Sequence, residues 1–269
     1  MVKRTLFFLT IVAACFGCTH NPITGRNQLS LYSDKEIQDM AASNYKQFLS
    51  ANKVVAKTVG SEDALMVERV GRRIASAITA YYTQQGMANI LDGYNWEYNL
   101  VESKEVNAWC MPGGKIVVYT GLLPITQTET ALAIVLGHEI THALAKHGNE
   151  RMSQAMIQQL GGVALSVAVV NQPSETQGIF MNAYGIGSSV GGLLPFSRKQ
   201  EYEADRLGLR FAAMAGYDPR EAIPFWERMK AASGNTKNIE ILGTHPVDDN
   251  RIQKLKEEMP DALSVYKPK

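Results

Sequence analysis

Residues 128–148 read TETALAIVLGHEITHALAKHG, and within them Leu136-Gly137-His138-Glu139-Ile140-Thr141-His142 decides how the rest of the chain is read. Ala131, Leu132, Val135, Leu136, Ala143 and Leu144 recur at helical spacing. That predicts a helix over about 128–147, with His147-Gly148 as its stop. On such a helix His138 and His142 are four apart and share one face, about one turn from each other. Two imidazoles in that geometry can bind one zinc ion, and Glu139, one residue round, can reach a water on the metal's open side. With five His and 17 Glu among 269 residues, chance supplies roughly 0.006 such matches, so coincidence is a weak rival.

A catalytic zinc site needs a third protein ligand and keeps its fourth position for water. The continuation H-x-x-G-x-x-H does not supply it, because Ala145 stands where glycine would and no histidine follows Gly148 at the required spacing. The candidate is residues 197–205, SRKQEYEAD. Glu201 and Asp205 are again i,i+4 on an expected helix, so Glu201 can bind zinc while Asp205 accepts the second ring N–H of His138. Taken alone the pair would read as a solvated helix face; beside the histidine motif it reads as a ligand and its partner. Glu203 points about 160° away from Asp205 and is expected to face away from the metal.

The surrounding chain is ordinary for a globular protein: 45% hydrophobic and 20% charged, with a formal net charge of +1. Without Lys3 and Arg4 that charge is −1, so no basic face for nucleic acid is expected. Residues 1–18, MVKRTLFFLTIVAACFGC, have a charged start, a short apolar run and small residues before cysteine. This is the layout of a signal peptide, too short for a mature membrane span; the alternative is an uncleaved anchor helix. The cysteine after small residues resembles a bacterial lipobox, which would place lipid on Cys18, or alternatively on Cys15. Cys110 is then the one remaining thiol, which excludes a disulfide scaffold.

Residues 19–32 are polar and turn-rich and read as a tether or a wrapped arm, and 33–269 as a single domain. Helices are expected from Ser33-Asp34 and over 61–85, then short strands over 96–101, 106–111 and 115–120, with Pro112-Gly113-Gly114 as a turn. Further helices are expected over about 150–170, 175–190, 198–215, 219–232 and 247–258. The apolar stretch 160–170 and the glycine-rich stretch 178–194 read as a buried helix and a loop. The fold class is therefore α+β, mostly helical, with a small antiparallel sheet beside the zinc-binding helix. Cys110 has no evident base and is expected to be a buried thiol.

Taken together, H-E-x-x-H, S-R-x-x-E-x-E-A-D and Thr244-His245-Pro246 followed by Arg251-Ile252 resemble the gluzincin peptidase family of HtpX and the CAAX prenyl proteases. The segment Thr19-His20-Asn21-Pro22-Ile23-Thr24-Gly25-Arg26 resembles the start of its soluble bacterial lipoprotein branch, BepA- and LoiP-like periplasmic metalloproteases, and in that alignment Cys18 takes the lipid. The resemblance implies a zincin-type zinc endopeptidase with one Zn2+, ligands His138, His142 and Glu201, and Glu139 as general base. It implies that His245 approaches the zinc, as a plug or as a transition-state partner, with Arg251 near it. It also implies that Asn107 and Ala108 lie on an edge strand that holds an extended peptide by its backbone. The expected partners are unfolded or misfolded envelope polypeptides and a membrane reached through the lipid, at the outer membrane facing the periplasm. A chaperone or assembly factor with a latent, His245-plugged site is the alternative. The chain shows neither the four transmembrane helices of the integral members nor the tetratricopeptide repeats of one soluble branch, so cleavage within a bilayer and repeat-mediated docking are not expected.

Overall fold

The computed structural model describes residues 18–160, 173–186, 196–233, 240–246 and 248–268. The expected leader through Gly17, residues 161–170 of the apolar stretch and residues 187–194 of the glycine-rich stretch lie outside the described residues. Cys18 opens a two-stranded ribbon in which β1 (Cys18–His20) pairs antiparallel with β2 (Asn27–Leu29). Its turn is held by Asn21, whose Oδ1 accepts from the Ile23 backbone at 2.9 Å, and by Gly25 at φ 71°. The polar segment is docked on the body of the fold. Asn21 Nδ2 donates to the Ala145 carbonyl at 2.8 Å, and the Leu31 amide donates to Ser153 Oγ at 2.9 Å.

Helix α1 (Asp34–Ala51) starts where its cap predicts: Ser33 and Glu36 exchange both bonds of a capping box. Helix α2 (Glu62–Gln84) buries the stripe Val67, Val70, Ile74 and Ile78. Then come β3 (Glu97–Val101), β4 (Ala108–Met111) and β5 (Lys115–Tyr119). The β4–β5 hairpin is antiparallel as expected, and Gly113 and Gly114 both take positive φ in its turn. However, β5 inserts between β4 and β3, and β3 pairs with it in parallel, so the three-stranded sheet is mixed and β4 is an edge. Strand propensity and turn signals do not encode direction across a non-local pair, which is why the parallel pairing was not anticipated.

Helix α3 (Leu123–Thr126) is a single turn, and α4 (Glu129–Leu144) begins at Thr128, whose side chain caps Ala131. Every residue of α4 from Ala131 to Leu144 is buried, so it is a central helix and not a one-faced surface helix. It ends at Lys146, which takes the left-handed φ of 57° itself. Gly148 lies inside the next helix, α5 (His147–Leu160), where an added Cβ would fall 2.1 Å from the Tyr184 ring. Gly148 is thus a close-packing residue and not the helix stop. Helices α6 (Pro173–Ala183), α7 (Arg198–Met214), α8 (Ala222–Ser233), α9 (Glu240–Thr244) and α10 (Asp249–Val265) follow. Helix α10 runs through Pro260, beyond the expected end, because Ala262 after it packs fully buried in the main core.

The sheet has a core on each face. Leu100, Ala108, Cys110, Ile116 and Val118 pack with α2, α4 and α7. Val101, Trp109, Met111, Val117 and Tyr119 point the other way, with residues of α1, α5 and α6. None of the described helices is long and apolar enough to cross a membrane.

The contact that positions the site is the crossing of α4 and α7. A Cβ on Gly208 would lie 2.7 Å from the His138 backbone nitrogen, and one on Gly137 would lie 2.6 Å from the Gly208 carbonyl. The two backbones touch because neither residue has a side chain. Gly208→Ala is expected to cost about 1–3 kcal/mol, since backbone cannot yield as a side-chain tip can. Gly178→Ala in α6 meets nothing within 4 Å and is expected to gain up to about 1 kcal/mol of helix propensity. Thermal unfolding of both variants checks the opposite signs; equal midpoints would show that the crossing tolerates a methyl group.

Candidate metal centre

His138 and His142 project from the same face of α4, as the four-residue spacing requires, with their Nε2 atoms 3.0 Å apart. Glu201, in the first turn of α7, sets Oε1 3.3 Å from His142 Nε2 and Oε2 3.6 Å from His138 Nε2. Helix α7 is fixed at that end by Ser197 and Gln200, which form the capping box. His245, just after α9, brings Nδ1 to 2.9 Å from Glu201 Oε1 and 3.2 Å from His138 Nε2. One donor atom from each of the four residues lies within 4.8 Å of the others.

This donor set fits a zinc ion. Metal–ligand distances of 2.0–2.2 Å on a tetrahedron give edges of roughly 3.3–3.6 Å, and the separations here run from 2.9 to 3.6 Å. Two imidazole nitrogens facing each other at 3.0 Å also need a proton or a cation between them. Glu139 is buried beside the cluster, and its Oε1 has no hydrogen-bond partner among the described residues. It stands 3.7 Å from His245 Nε2.

Each histidine of the motif is held from behind. His138 Nδ1 lies 2.9 Å from Asp205 Oδ1, the pairing expected from the sequence. Asp205 is gripped by Arg251, through Nε to Oδ2 at 2.6 Å and Nη2 to Oδ1 at 2.8 Å. Arg251 is buried, stacks on Trp226 at 4.2 Å, and faces Glu201 Oε2 at 2.6 Å. His142 Nδ1 meets a residue the sequence did not place there, His147 Nδ1, at 2.9 Å. His147 Nε2 reaches Glu203 Oε2 at 2.9 Å, and Glu203 accepts from Arg26 Nε at 2.8 Å. Glu203 therefore does not face away from the centre. The helical-wheel angle was sound, but a second histidine bridges the gap it leaves.

The charges follow from this packing. Burial works against ionising Glu201 and Asp205, but Arg251 together with the histidines that face them outweighs it, so each carboxyl sits below its ordinary range. Burial pushes the Glu139 carboxyl above its ordinary range, only partly opposed by His245. Burial holds the His142 imidazole well below its ordinary value. For His245 burial acts the same way, but Glu139 and Glu201 prevail and raise it. Cys110 is buried with its thiol pushed well up, consistent with an inert side chain.

The centre is closed. Phe196 lies 4.0 Å from His142 ring to ring and stacks on His245 at 4.9 Å, with Arg151 above it at 3.8 Å. The Phe196 amide donates to the Thr244 carbonyl at 2.9 Å. Asn107 and Ala108 do lie at the edge strand beside α4, but both are buried, and the Val106 carbonyl just before them accepts from the Ile241 amide of α9 at 3.2 Å. One short segment, α9 with His245, thus covers both the donor cluster and the edge. Sequence reasoning missed His147, Arg26, Arg151 and Phe196. The available signals were a third histidine just past the two of the motif and an aromatic residue directly before Ser197.

The profile of peptidase family M48 matches residues 64–259. The mitochondrial metalloendopeptidase OMA1 of Schizosaccharomyces pombe is 34% identical over 245 residues, covering 90% of this chain and 66% of that protein. The human mitochondrial metalloendopeptidase OMA1 is 30% identical over 260 residues, covering 93% and 48%. The beta-barrel assembly-enhancing protease of Escherichia coli is 26% identical over 187 residues, covering 65% and 37%. The chain thus spans from about a third to two thirds of the length of these relatives.

Proposed function

This chain belongs to peptidase family M48, and from that premise we propose that it is a zinc-dependent endopeptidase acting on unfolded or misassembled proteins of the bacterial cell envelope. The observation that carries the reading is the convergence of His138, His142, Glu201 and His245 beside a buried, unpartnered Glu139 carboxylate oxygen. His138, His142 and Glu201 would hold the zinc ion, and His245 stands beside them, where it would compete with a substrate or water. The zinc supplies Lewis acidity to a scissile carbonyl and acidity to a water molecule.

The remaining chemistry falls to the protein. Glu139 accepts the proton of the attacking water and passes it to the leaving amine, and its burial raises its basicity for that task. Asp205 and His147 accept the outer ring N–H of His138 and His142, which leaves each Nε2 free to bind. Arg251 secures Asp205 and Glu201, so its fork acts through them. An extended peptide adds to the edge of β4 at Asn107 and Ala108, by backbone pairing that makes little demand on sequence. Unfolded protein suits such a groove.

The envelope assignment rests on the leader-like residues 1–18, on Cys18 as the lipidated residue with Cys15 as the alternative, and on the likeness to a beta-barrel assembly-enhancing protease. The mitochondrial relatives bear on the peptidase and not on this address. Lipid at the N-terminus would hold the protein at the outer membrane facing the periplasm. The intact mass of the mature N-terminal peptide tests the anchor, and a free amine on an unacylated cysteine would remove it.

The peptidase is tested by degradation of casein with the zinc-loaded protein. Cleavage that stops with a chelator and returns with Zn2+ supports it; zinc binding without cleavage favours a second reading. In that reading the protein is an envelope chaperone or assembly factor with a latent peptidase. The closed centre favours it, since α9 and His245 cover the donors and the edge together. His245→Ala is expected to raise casein cleavage on the order of tenfold, the factor by which a closed state populated at about 90% reduces productive binding. A fall in cleavage with zinc retained would instead make His245 a transition-state partner.

A further inference from the structure

The two histidines of the motif are supported by two chains of matching design. On one side His138 leads to Asp205 and then to Arg251. On the other His142 leads to His147, then to Glu203, then to Arg26. Both carboxylates come from α7, and the terminal arginines come from opposite ends of the sequence. We propose that Arg26, Glu203 and His147 form a positioning chain that sets the orientation and tautomer of His142, so that the N-terminal arm is a working part of the metal centre. The proposal rests on the reading of His138, His142 and Glu201 as zinc ligands.

The direction of the chain follows from donor and acceptor chemistry. For His142 Nε2 to bind a metal, its ring proton must sit on Nδ1, and the one atom the structure places there is His147 Nδ1 at 2.9 Å. His147 must then accept at Nδ1 and carry its own proton on Nε2, which points at Glu203 Oε2 at 2.9 Å. Glu203 can only accept, and Arg26 can only donate, through Nε at 2.8 and 3.0 Å to the two carboxylate oxygens. Every bond runs one way, from each ring toward Glu203. Loss of the acceptor at His147, or of the carboxylate behind it, leaves the His142 tautomer undetermined.

The arm is built to deliver Arg26 to this place. Its guanidinium also spans Glu150 on α5, through Nη1 and Nη2, and Gln200 Nε2 donates to the same carboxylate at 2.8 Å. Gln200 completes the capping box of α7 and is the neighbour of Glu201. Arg26 therefore ties α5 to α7 where the expected ligand begins. His147 reaches its position because Lys146 turns the chain at φ 57°, folding the start of α5 back onto the end of α4. His147 is fully buried, and the Glu203 and Arg26 side chains are 12% and 14% exposed.

The test is zinc affinity, measured on the mature chain by competition with a chromophoric chelator, beside the unfolding midpoint of the metal-free protein. Glu203→Ala and His147→Ala are expected to weaken zinc binding about 10–100-fold, the usual cost of losing an outer partner of a metal ligand. Arg26→Ala should weaken it less, and His147→Gln, which can still accept from His142 and donate to Glu203, should recover most of the loss. The visible spectrum of the cobalt-substituted protein should shift in the alanine variants and return in His147→Gln. A merely structural role would lower the metal-free midpoint and leave affinity and spectrum unchanged. Zinc affinity within twofold of the parent in Glu203→Ala and His147→Ala, or in Arg26→Ala should those two fail to fold, would overturn the proposal. A parent chain that binds no zinc would overturn the peptidase reading itself.

Discussion

Glu139→Gln is expected to keep its zinc and lose casein cleavage by about 10²–10⁴-fold, the range typical of a deleted general base. The substitution preserves shape, so the surrounding core has no reason to move. Glu139 is buried, and its Oε1 has no hydrogen-bond partner among the described residues, so no hydrogen bond from them is broken at that atom. An amide at that position cannot take a proton from water, and it no longer carries the charge that faces His245. Zinc content by elemental analysis and cleavage rates on one preparation check both halves. Zinc loss alongside activity would make Glu139 a ligand, and undiminished cleavage would remove it from the reaction.

Arg251→Ala is expected to be the most destabilising single change, by about 3–5 kcal/mol in the metal-free protein, the cost of breaking a buried ion pair from one side. Arg251 is 2% exposed, so solvent does little to screen what its loss uncovers. Its guanidinium faces Asp205 with two bonds and Glu201 with an ion contact, and its removal leaves two buried carboxylates without a cation. It also strips the cation from the face of Trp226 and leaves the carbonyls of His245 and Pro246 without a donor. Urea unfolding of metal-free parent and variant measures the loss. Arg251→Lys should recover only part of it, because a single ammonium cannot span the positions the planar fork reaches. A loss below about 1 kcal/mol, the level of an exposed pair, would mean that water reaches the cluster.

Both expectations draw on the same feature, a set of charged and polar side chains taken out of water together. A centre of that kind holds its shape only while each member keeps its partner. This is also why closure by α9 and His245 is informative. The segment meets the donors through Glu201 and the residue two before the edge strand, Val106, through a backbone bond.

Much of the centre was legible in the sequence because its parts are local. The pairs His138/His142 and Glu201/Asp205 each sit four apart on a helix, and 3.6 residues per turn puts each pair on one face without help from the rest of the fold. The helix start at Ser33 was readable for the same reason, and so was the turn at Pro112-Gly113-Gly114. The α+β class followed from the change of period between these segments.

What tertiary structure alone decided lies between residues distant in the chain. The meeting of Gly137 with Gly208 brings Asp205 within 2.9 Å of His138, across 67 residues. The insertion of β5 between β3 and β4 makes the sheet mixed. Arg26 meets Glu203 across 177 residues, and His147 carries that contact to His142. No period or cap encodes such pairs. They arise because two helices without side chains at their crossing can pack backbone to backbone, and the depth of that packing sets which distant side chains are close enough to share a proton.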